Sequence, residues 1–184
     1  MELSNQSFIK TIFDSRDTTL EQVLNRVVQR VGEILNVDRC FIGVRDPLKQ
    51  RCLLPFVWGR TNLKLNDFFQ AKWVEEKSFI GDDPLYKVAL ACQPSVYIED
   101  VEATSPEILN RDFESRFCGH RAFIHGHIVQ DGALWGTLKP CVFDHPHQWT
   151  GDEHIFIETL LPLLANHVKE YVMKLQIGES YQQS

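Results

Sequence analysis

The side chains best suited to chemistry gather in the second half of the chain. His125-Gly126-His127 puts two imidazoles on one face of any strand that carries them, since side chains two residues apart on a strand share a face. His145-Pro146-His147 offers a second pair, with Cys118, His120 and Cys141 in the same half. Together they could hold zinc, iron or haem if the donor atoms converged within about 2.0–2.3 Å of one ion. No ligand spacing in the sequence demands that arrangement, and imidazoles one residue apart commonly occur without a metal. The expectation is therefore no metal, with His125 and His127 lining a pocket or polar sheet face, and His145 and His147 solvated in a loop. Cys118-Gly119-His120 pairs a nucleophile with a base, but an oriented third group is not evident. Glu99, Asp100 and Glu102 read more simply as a solvated strand end than as a general acid/base set. No catalytic residue is assigned, and the chain is expected not to be an enzyme.

The remaining candidates point to binding. Phe56, Trp58, Phe69, Trp73, Tyr86 and Tyr97 could wall a planar ligand, because binding sites are mostly apolar with a few placed polar groups. Cys118, His125, His127 and Cys141 would be those polar groups. The five cysteines, Cys40, Cys52, Cys92, Cys118 and Cys141, are odd in number and include no Cys-x-x-Cys pair. They suggest neither a disulfide framework nor a zinc ribbon, and thiols inside apolar runs, such as Cys40 and Cys52, behave as small hydrophobes.

Positioning these groups falls to a regular series of elements. Leu20, Val23, Leu24, Val27, Val28, Val31, Ile34 and Leu35 recur at three- and four-residue intervals, which predicts an amphipathic helix over 20–35. Thr18 or Thr19 supplies its N-cap and Asn36 its stop. Strands over 39–44 and 52–58 make a hairpin, with Pro55 requiring an edge or a bulge. Confused aromatic spacing over 64–80 reads as a loop or short helical piece. Asp82-Asp83-Pro84 opens a helix, 96–98 is a short strand, and Ser105-Pro106-Glu107 opens another helix reaching about Phe117. Strands over 121–129 and 133–143 flank Asp131-Gly132, whose types suit a tight hairpin turn. Thr150-Gly151-Asp152-Glu153 is a capping box that opens a long last helix containing Pro162. Trp149 is expected to anchor its start, and 178–184 to fray. The fold class is α+β (mixed α/β): a central antiparallel sheet with the N- and C-terminal helices packed together on one face. Residues 1–17 form an extension, 18–177 the domain and 178–184 a tail.

Composition narrows the partners. With 184 residues, 43% hydrophobic and 24% charged, the chain suits one globular core. A net charge of -6, without a Lys/Arg cluster, argues against nucleic acid. No apolar run is long enough to span a membrane and no secretory signal opens the chain, so a cytoplasmic location is expected.

Val96-Tyr97-Ile98-Glu99-Asp100-Val101, Asp131-Gly132-Ala133-Leu134-Trp135-Gly136-Thr137-Leu138 and Pro146-His147-Gln148-Trp149-Thr150, with Val37-Asp38-Arg39-Cys40 after the first helix, resemble the GAF superfamily, in its phytochrome-like and cyanobacteriochrome branch. The resemblance implies a sensory module with a ligand pocket, signalling through its terminal helices and pairing through them as a homodimer. In bilin-binding relatives a cysteine followed by histidine precedes the long hairpin; here that position falls near Asn110-Arg111, and the nearest thiol, Cys118, comes later. Asp83-Pro84-Leu85-Tyr86 carries leucine where a second-cysteine motif would have its thiol, and Cys141 stands where a histidine is often found. Covalent bilin is therefore not expected, and the ligand stays unidentified. The leading expectation is a non-catalytic small-molecule sensor. A dimerisation or docking module without ligand comes second, and a thiol- or metal-dependent enzyme third.

Overall fold

In the computed structural model of the protein, which describes residues 9, 13, 19–60, 72–81 and 83–182, helix α1 (Leu20–Ile34) opens on a reciprocal cap. The Gln22 amide donates to the Thr19 hydroxyl (3.3 Å) and the Thr19 amide to the Gln22 side chain (3.0 Å), satisfying two donors that a first turn leaves orphaned. Asn36, at φ 54°, ends the helix in the left-handed conformation that asparagine tolerates. Strands β1 (Arg39–Asp46) and β2 (Arg51–Gly59) form the expected hairpin. Pro55 finds one of its permitted settings in a bulge, where Leu54 and Pro55 together stand against Gly43, and among the described residues β3 (Val74–Glu75) pairs only with Arg51 and Cys52 further along β2.

A 3-10 turn, Glu76–Ser78, leads to α2 (Pro84–Leu90), where Asp83 Oδ1 accepts from the Tyr86 amide at 3.1 Å and Pro84 fills the first turn. Strand β4 (Val96–Ile98) follows. Helix α3 (Arg111–Phe117) is shorter than the 105–117 expected. The Ser105 hydroxyl accepts from the Glu107 amide and its carbonyl from the Ile108 and Leu109 amides in a local turn that goes no further, and Asn110 is the cap that opens the helix, accepting from the Phe113 amide at 3.1 Å. Strands β5 (Ala122–Gln130) and β6 (Ala133–Val142) meet at Asp131 (φ 54°) and Gly132 (φ 72°), the two positive angles of a tight hairpin.

Helix α4 (Gly151–Gln182) carries the predicted capping box, with Glu153 accepting from the Thr150 amide (2.7 Å) and Thr150 accepting from the Glu153 amide (3.3 Å). Trp149 is buried and donates to the Ile98 carbonyl at 3.1 Å, pinning the start of α4 to β4. The stretch from Gly178, expected to fray, is helical through Gln182. Its anchor is electrostatic: Glu179 accepts from Arg51 (2.6 Å) and Lys49 (2.7 Å), and Gln176 donates to Asp46 (2.7 Å), so the last turns dock on the β1–β2 hairpin. No helix among the described residues is long and apolar enough to cross a membrane.

The six strands pair antiparallel in the order β3-β2-β1-β6-β5-β4. On one face α1 and α4 touch each other and bury Ile42, Phe56, Ile124, Ile128 and Leu138 in the main core. A Cβ on Gly136 would meet the Gly43 carbonyl oxygen, so β6 needs glycine there to lie against β1. Among the described residues the other face is covered by α2, α3 and their connections, in two smaller clusters: one around Leu85, Leu109 and Phe123, the other around Phe79, Tyr86, Phe113 and Leu134.

Candidate ligand site

A recess of about 80 Å³ opens on this second face, away from α1 and α4. Among the described residues, its floor is Phe41 and Gly43 of β1, Thr137 and Lys139 of β6 and His125 of β5. Its roof is Phe79, Asp83 and Tyr86 around the start of α2, with Phe113 and Cys118 at the two ends of α3. By the measure that one water needs about 10–15 Å³ of such space, it has room for several waters or one small molecule.

The floor is charged as well as buried. Lys139 is only 6% exposed, and its Nζ lies 3.7 Å from Glu114 Oε1, with the Phe123 and Phe41 rings 5.0 and 5.9 Å away. Burial works to raise the Glu114 carboxyl, yet Lys139 and His120 override it and hold the pKa at about 2. Burial likewise works to strip the proton from Lys139, and Glu114 prevails, holding the ammonium above its ordinary range. His120 is driven down to about 4 by burial, against the pull of Glu114, so its ring is neutral at neutral pH. Arg39 Nη2 lies 2.7 Å from His120 Nε2 and 3.1 Å from the Cys118 carbonyl. A guanidinium only donates, so Nε2 accepts and the ring proton sits on Nδ1, facing Glu114 Oε2 at 3.5 Å. Both Glu114 oxygens, His120 Nδ1 and Arg39 Nε are buried without a hydrogen bond.

The two histidines of β5 form an ordered pair. His127 Nδ1 lies 2.7 Å from the Gln93 carbonyl, which can only accept, so the proton is on Nδ1 and Nε2 is bare. His125 Nδ1, 2.9 Å from that Nε2, must then donate to it, leaving His125 Nε2 as an unprotonated acceptor. Burial lowers the pKa of both rings, which keeps them neutral. The β2 side of the recess is fully paired: Arg45 Nε donates to Glu76 (2.5 Å), Tyr86 Oη donates to the same carboxylate (2.8 Å), and the Cys52 thiol, 2.8 Å away, donates to Tyr86.

Glu114, Cys118 and His120 bring their donor atoms within 4.8 Å of one another, a metal-like trio. The tautomer argues against a cation there. With Nε2 committed to Arg39 and Nδ1 protonated, His120 has no lone pair to offer, and Arg39 and Lys139 add positive charge. Glu114 is instead the counter-ion of Lys139, with His120 between it and Arg39. His147 sits elsewhere, 3.2 Å from Glu153 at the start of α4. Thiolate chemistry is equally disfavoured, since burial pushes Cys52 and Cys141 up to about 12 and Cys40 and Cys118 well above their usual range.

The sequence-derived candidates divide by sheet face. Tyr86, Cys118 and His125 border the recess, while His127 and Cys141 lie on the same face beside it. Phe56 and Trp58 are corrected: they point to the opposite face, Phe56 edge-on to Tyr171 at 4.9 Å and Trp58 against Gly32 of α1. Both fall on the β2 positions that alternation turns toward the helices. Trp73 stacks under Arg51 at 4.3 Å, and Tyr97 stacks on His154 at 3.6 Å while donating to Glu158, so neither borders the recess. Phe69 lies outside the described residues. Sequence reasoning missed Arg39, Asp83, Glu114, Thr137 and Lys139. The legible signal was Lys139, a charge set inside the apolar run Leu138-Lys139-Pro140-Cys141-Val142.

An antiparallel sheet with its terminal helices on one face and a polar recess on the other defines an α+β domain. The chain belongs to the GAF domain family, whose family model matches residues 19–168. Solved structures with the same fold include the GAF domain of a phosphoenolpyruvate-protein phosphotransferase from Coxiella burnetii (21% identity, TM-score 0.68, covering 92% of this chain and 93% of that one). The phycoerythrobilin-bound GAF domain of a cyanobacterial phytochrome is similar at 15% identity and TM-score 0.70, covering 91% of this chain and 96% of that one. So is free methionine-R-sulfoxide reductase from Neisseria meningitidis in complex with its substrate (14%, 0.63, covering 90% and 86%). None of the curated proteins matches the chain.

Proposed function

We propose that this GAF domain is a non-catalytic sensor that takes up a small molecule in the recess and signals through its terminal helices. The observation that carries the reading is the recess itself: an indentation bordered by Lys139, Thr137 and His125, buried polar groups of which neither Lys139 Nζ nor the Thr137 hydroxyl makes a hydrogen bond among the described residues. Buried polar groups are ordinarily satisfied, so two that are not, both bordering one recess, favour a guest there. GAF domains are generally regulatory. The reductase is a fold relative whose name describes redox chemistry, but burial raises the thiol pKa of Cys52, Cys118 and Cys141, the cysteines on the recess face, which disfavours a thiolate there.

The test is mass spectrometry of small molecules released by denaturing the purified protein, followed by thermal-shift titration with whatever is released. A saturable rise in Tm, growing as RT ln(1 + [L]/Kd), supports the reading. Protein that releases nothing, and whose Tm responds to no member of a metabolite panel, would overturn it.

A second reading, a dimerisation module, is favoured by a different observation. Helix α4 has apolar residues on two faces: besides its buried side, Ile155, Leu163, Met173, Ile177 and Tyr181 are exposed. At about 100° per residue these five fall within an arc of about 80°. The two readings are compatible, since a ligand that prefers one arrangement of α1 and α4 would shift a helix-paired dimer.

A further inference from the structure

Resting on the reading of the recess as a ligand site, we propose that its guest is a small carboxylate, held by the Lys139 ammonium and the Thr137 hydroxyl with an apolar body against Phe79, Phe113 and Leu134.

The inference starts from an ammonium that its surroundings leave incomplete. Lys139 Nζ carries three donors, and among the described residues none makes a hydrogen bond: Glu114 stands 3.7 Å away, near enough to attract and too far to accept. Two aromatic faces, Phe123 and Phe41, flank the cation, and the lysine also borders the recess. A buried cation is tolerated when its charge is offset and its donors are taken up; here the first condition is met and the second is not. An oxygen anion seated in the recess would meet it.

Neighbouring groups favour the same sign. Thr137 lies two residues from Lys139 on the same strand face, and its hydroxyl also makes no hydrogen bond among the described residues. Arg39 adds a second positive charge at one end of the recess, with Nε unpartnered. Arg45 and Glu76 neutralise each other, and His120 and His125 are neutral. Of the acidic groups, Glu114 lies behind the lining and offsets Lys139, and Asp83 borders the recess from the roof with Oδ1 already accepting from the Tyr86 amide. The floor is rich in donors, and the apolar surface of the recess comes from Phe79 and Phe113 on the roof and Leu134 of β6, which belong to one hydrophobic cluster. Covalent capture of a carbonyl is disfavoured, because Glu114 keeps the lysine protonated and without a nucleophilic lone pair. The volume sets the size, since about 80 Å³ suits a compact acid of a few carbons.

The experiment compares matched triplets on one carbon skeleton: acetate, ethanol and ethylammonium; butyrate, butanol and butylammonium; benzoate, benzyl alcohol and benzylammonium. Each is titrated by calorimetry into the wild-type chain, Lys139→Met, and the double variant Lys139→Met/Glu114→Gln. The double variant removes the charge pair together, so neither partner is left buried alone, and its melting curve reports whether it folds. For at least one skeleton the carboxylate is expected to bind at least tenfold tighter than its alcohol and ammonium, with the preference lost in both variants. A carboxylate that binds no better than its alcohol on every skeleton, or a folded double variant that binds as the wild type does, would sink the proposal. Preference for an alcohol or ammonium overturns the carboxylate alone and leaves the sensor reading standing. Failure of all nine compounds to bind overturns the carboxylate, and the release of an uncharged or cationic small molecule from purified protein then shows whether the sensor reading survives it.

Discussion

His120 is buried between Arg39 and Glu114, and its titration should be visible in the stability of the whole chain. Its pKa falls from 6.5 to about 4 on folding, so between those values the unfolded chain holds a proton that the folded one refuses. Stability therefore drops as pH falls from about 6.5 toward 4, and below that both forms are protonated and the loss stops growing. A shift of this size is worth about 3 kcal/mol. His125 and His127, lowered in the same direction, steepen the same limb. Glu114, held at about 2 when folded, adds a separate loss beginning below about 4.5. Urea midpoints measured at pH 7, 5.5 and 4.5 should fall progressively, and His120→Gln, which keeps an acceptor for Arg39, should flatten the slope between pH 6.5 and 4. Parallel slopes in the two proteins would show that His120 is not the titrating group. At this scale the sequence was only partly readable. His125 and Cys118 could be placed at a pocket because unusual residue types stand out, whereas Glu114 sits among Arg111, Asp112 and Arg116 in a segment that looks like a solvated helix. Its burial is set by how α3 lies across the sheet, which no local pattern records.

Helix α1 and strand β2 meet through Gly32 and Trp58, where the ordinary rule for glycine in a helix should reverse. Alanine in a helix interior usually adds about 1 kcal/mol over glycine. A Cβ on Gly32 would clash with the Cε3 and Cζ3 edge of the Trp58 indole, and overpacking of that kind costs about 1–3 kcal/mol. Gly32→Ala should therefore lower Tm, yet raise it when added to Trp58→Leu, where the ring is gone. Destabilisation in both backgrounds would mean that the contact with Trp58 is not the cause. The elements themselves were largely legible, because their signals are local and chemical: the Thr19 and Thr150 caps, Asn36 as a stop, the Asp131-Gly132 turn and the bulge forced by Pro55. The failures came where two local signals compete or where a distant contact decides. Ser105 and Asn110 both offer caps, and Asn110 opens the helix. The last turns of α4 are polar, and their order comes from Glu179 reaching Arg51 and Lys49 across the fold. Replacing Glu179 with glutamine should cost under about 1 kcal/mol, because the pair is partly exposed and screened by salt, while speeding amide exchange after Ile177.

The whole molecule is asymmetric about its sheet: one face is filled by two helices, and the other retains a recess. Tyr97, which donates to Glu158 at 2.7 Å and stacks on His154, ties β4 to α4, and β4 pairs with the strand that carries His125. On the proposed reading, an occupant of the recess would have a short structural route to the long helix, and a signal along it would need only a ligand that prefers one setting of α4. What α4 does with its outer face would then decide whether such a signal reaches a partner. The inner face is filled by residues such as Ile157, Leu160, Leu164, Val168 and Val172, so the exposed Met173 and Ile177 are not needed to hold the sheet. If they form a seam with a second copy, Met173→Glu/Ile177→Glu should turn a dimer into a monomer in light scattering at ~50 µM while changing monomer stability by no more than about 0.5 kcal/mol, as exposed positions usually do. A wild-type chain that is already monomeric at that concentration would remove the seam from the account. A double variant that unfolds would show instead that these side chains support the fold, and that the stripe, for all its exposure, belongs to this domain alone.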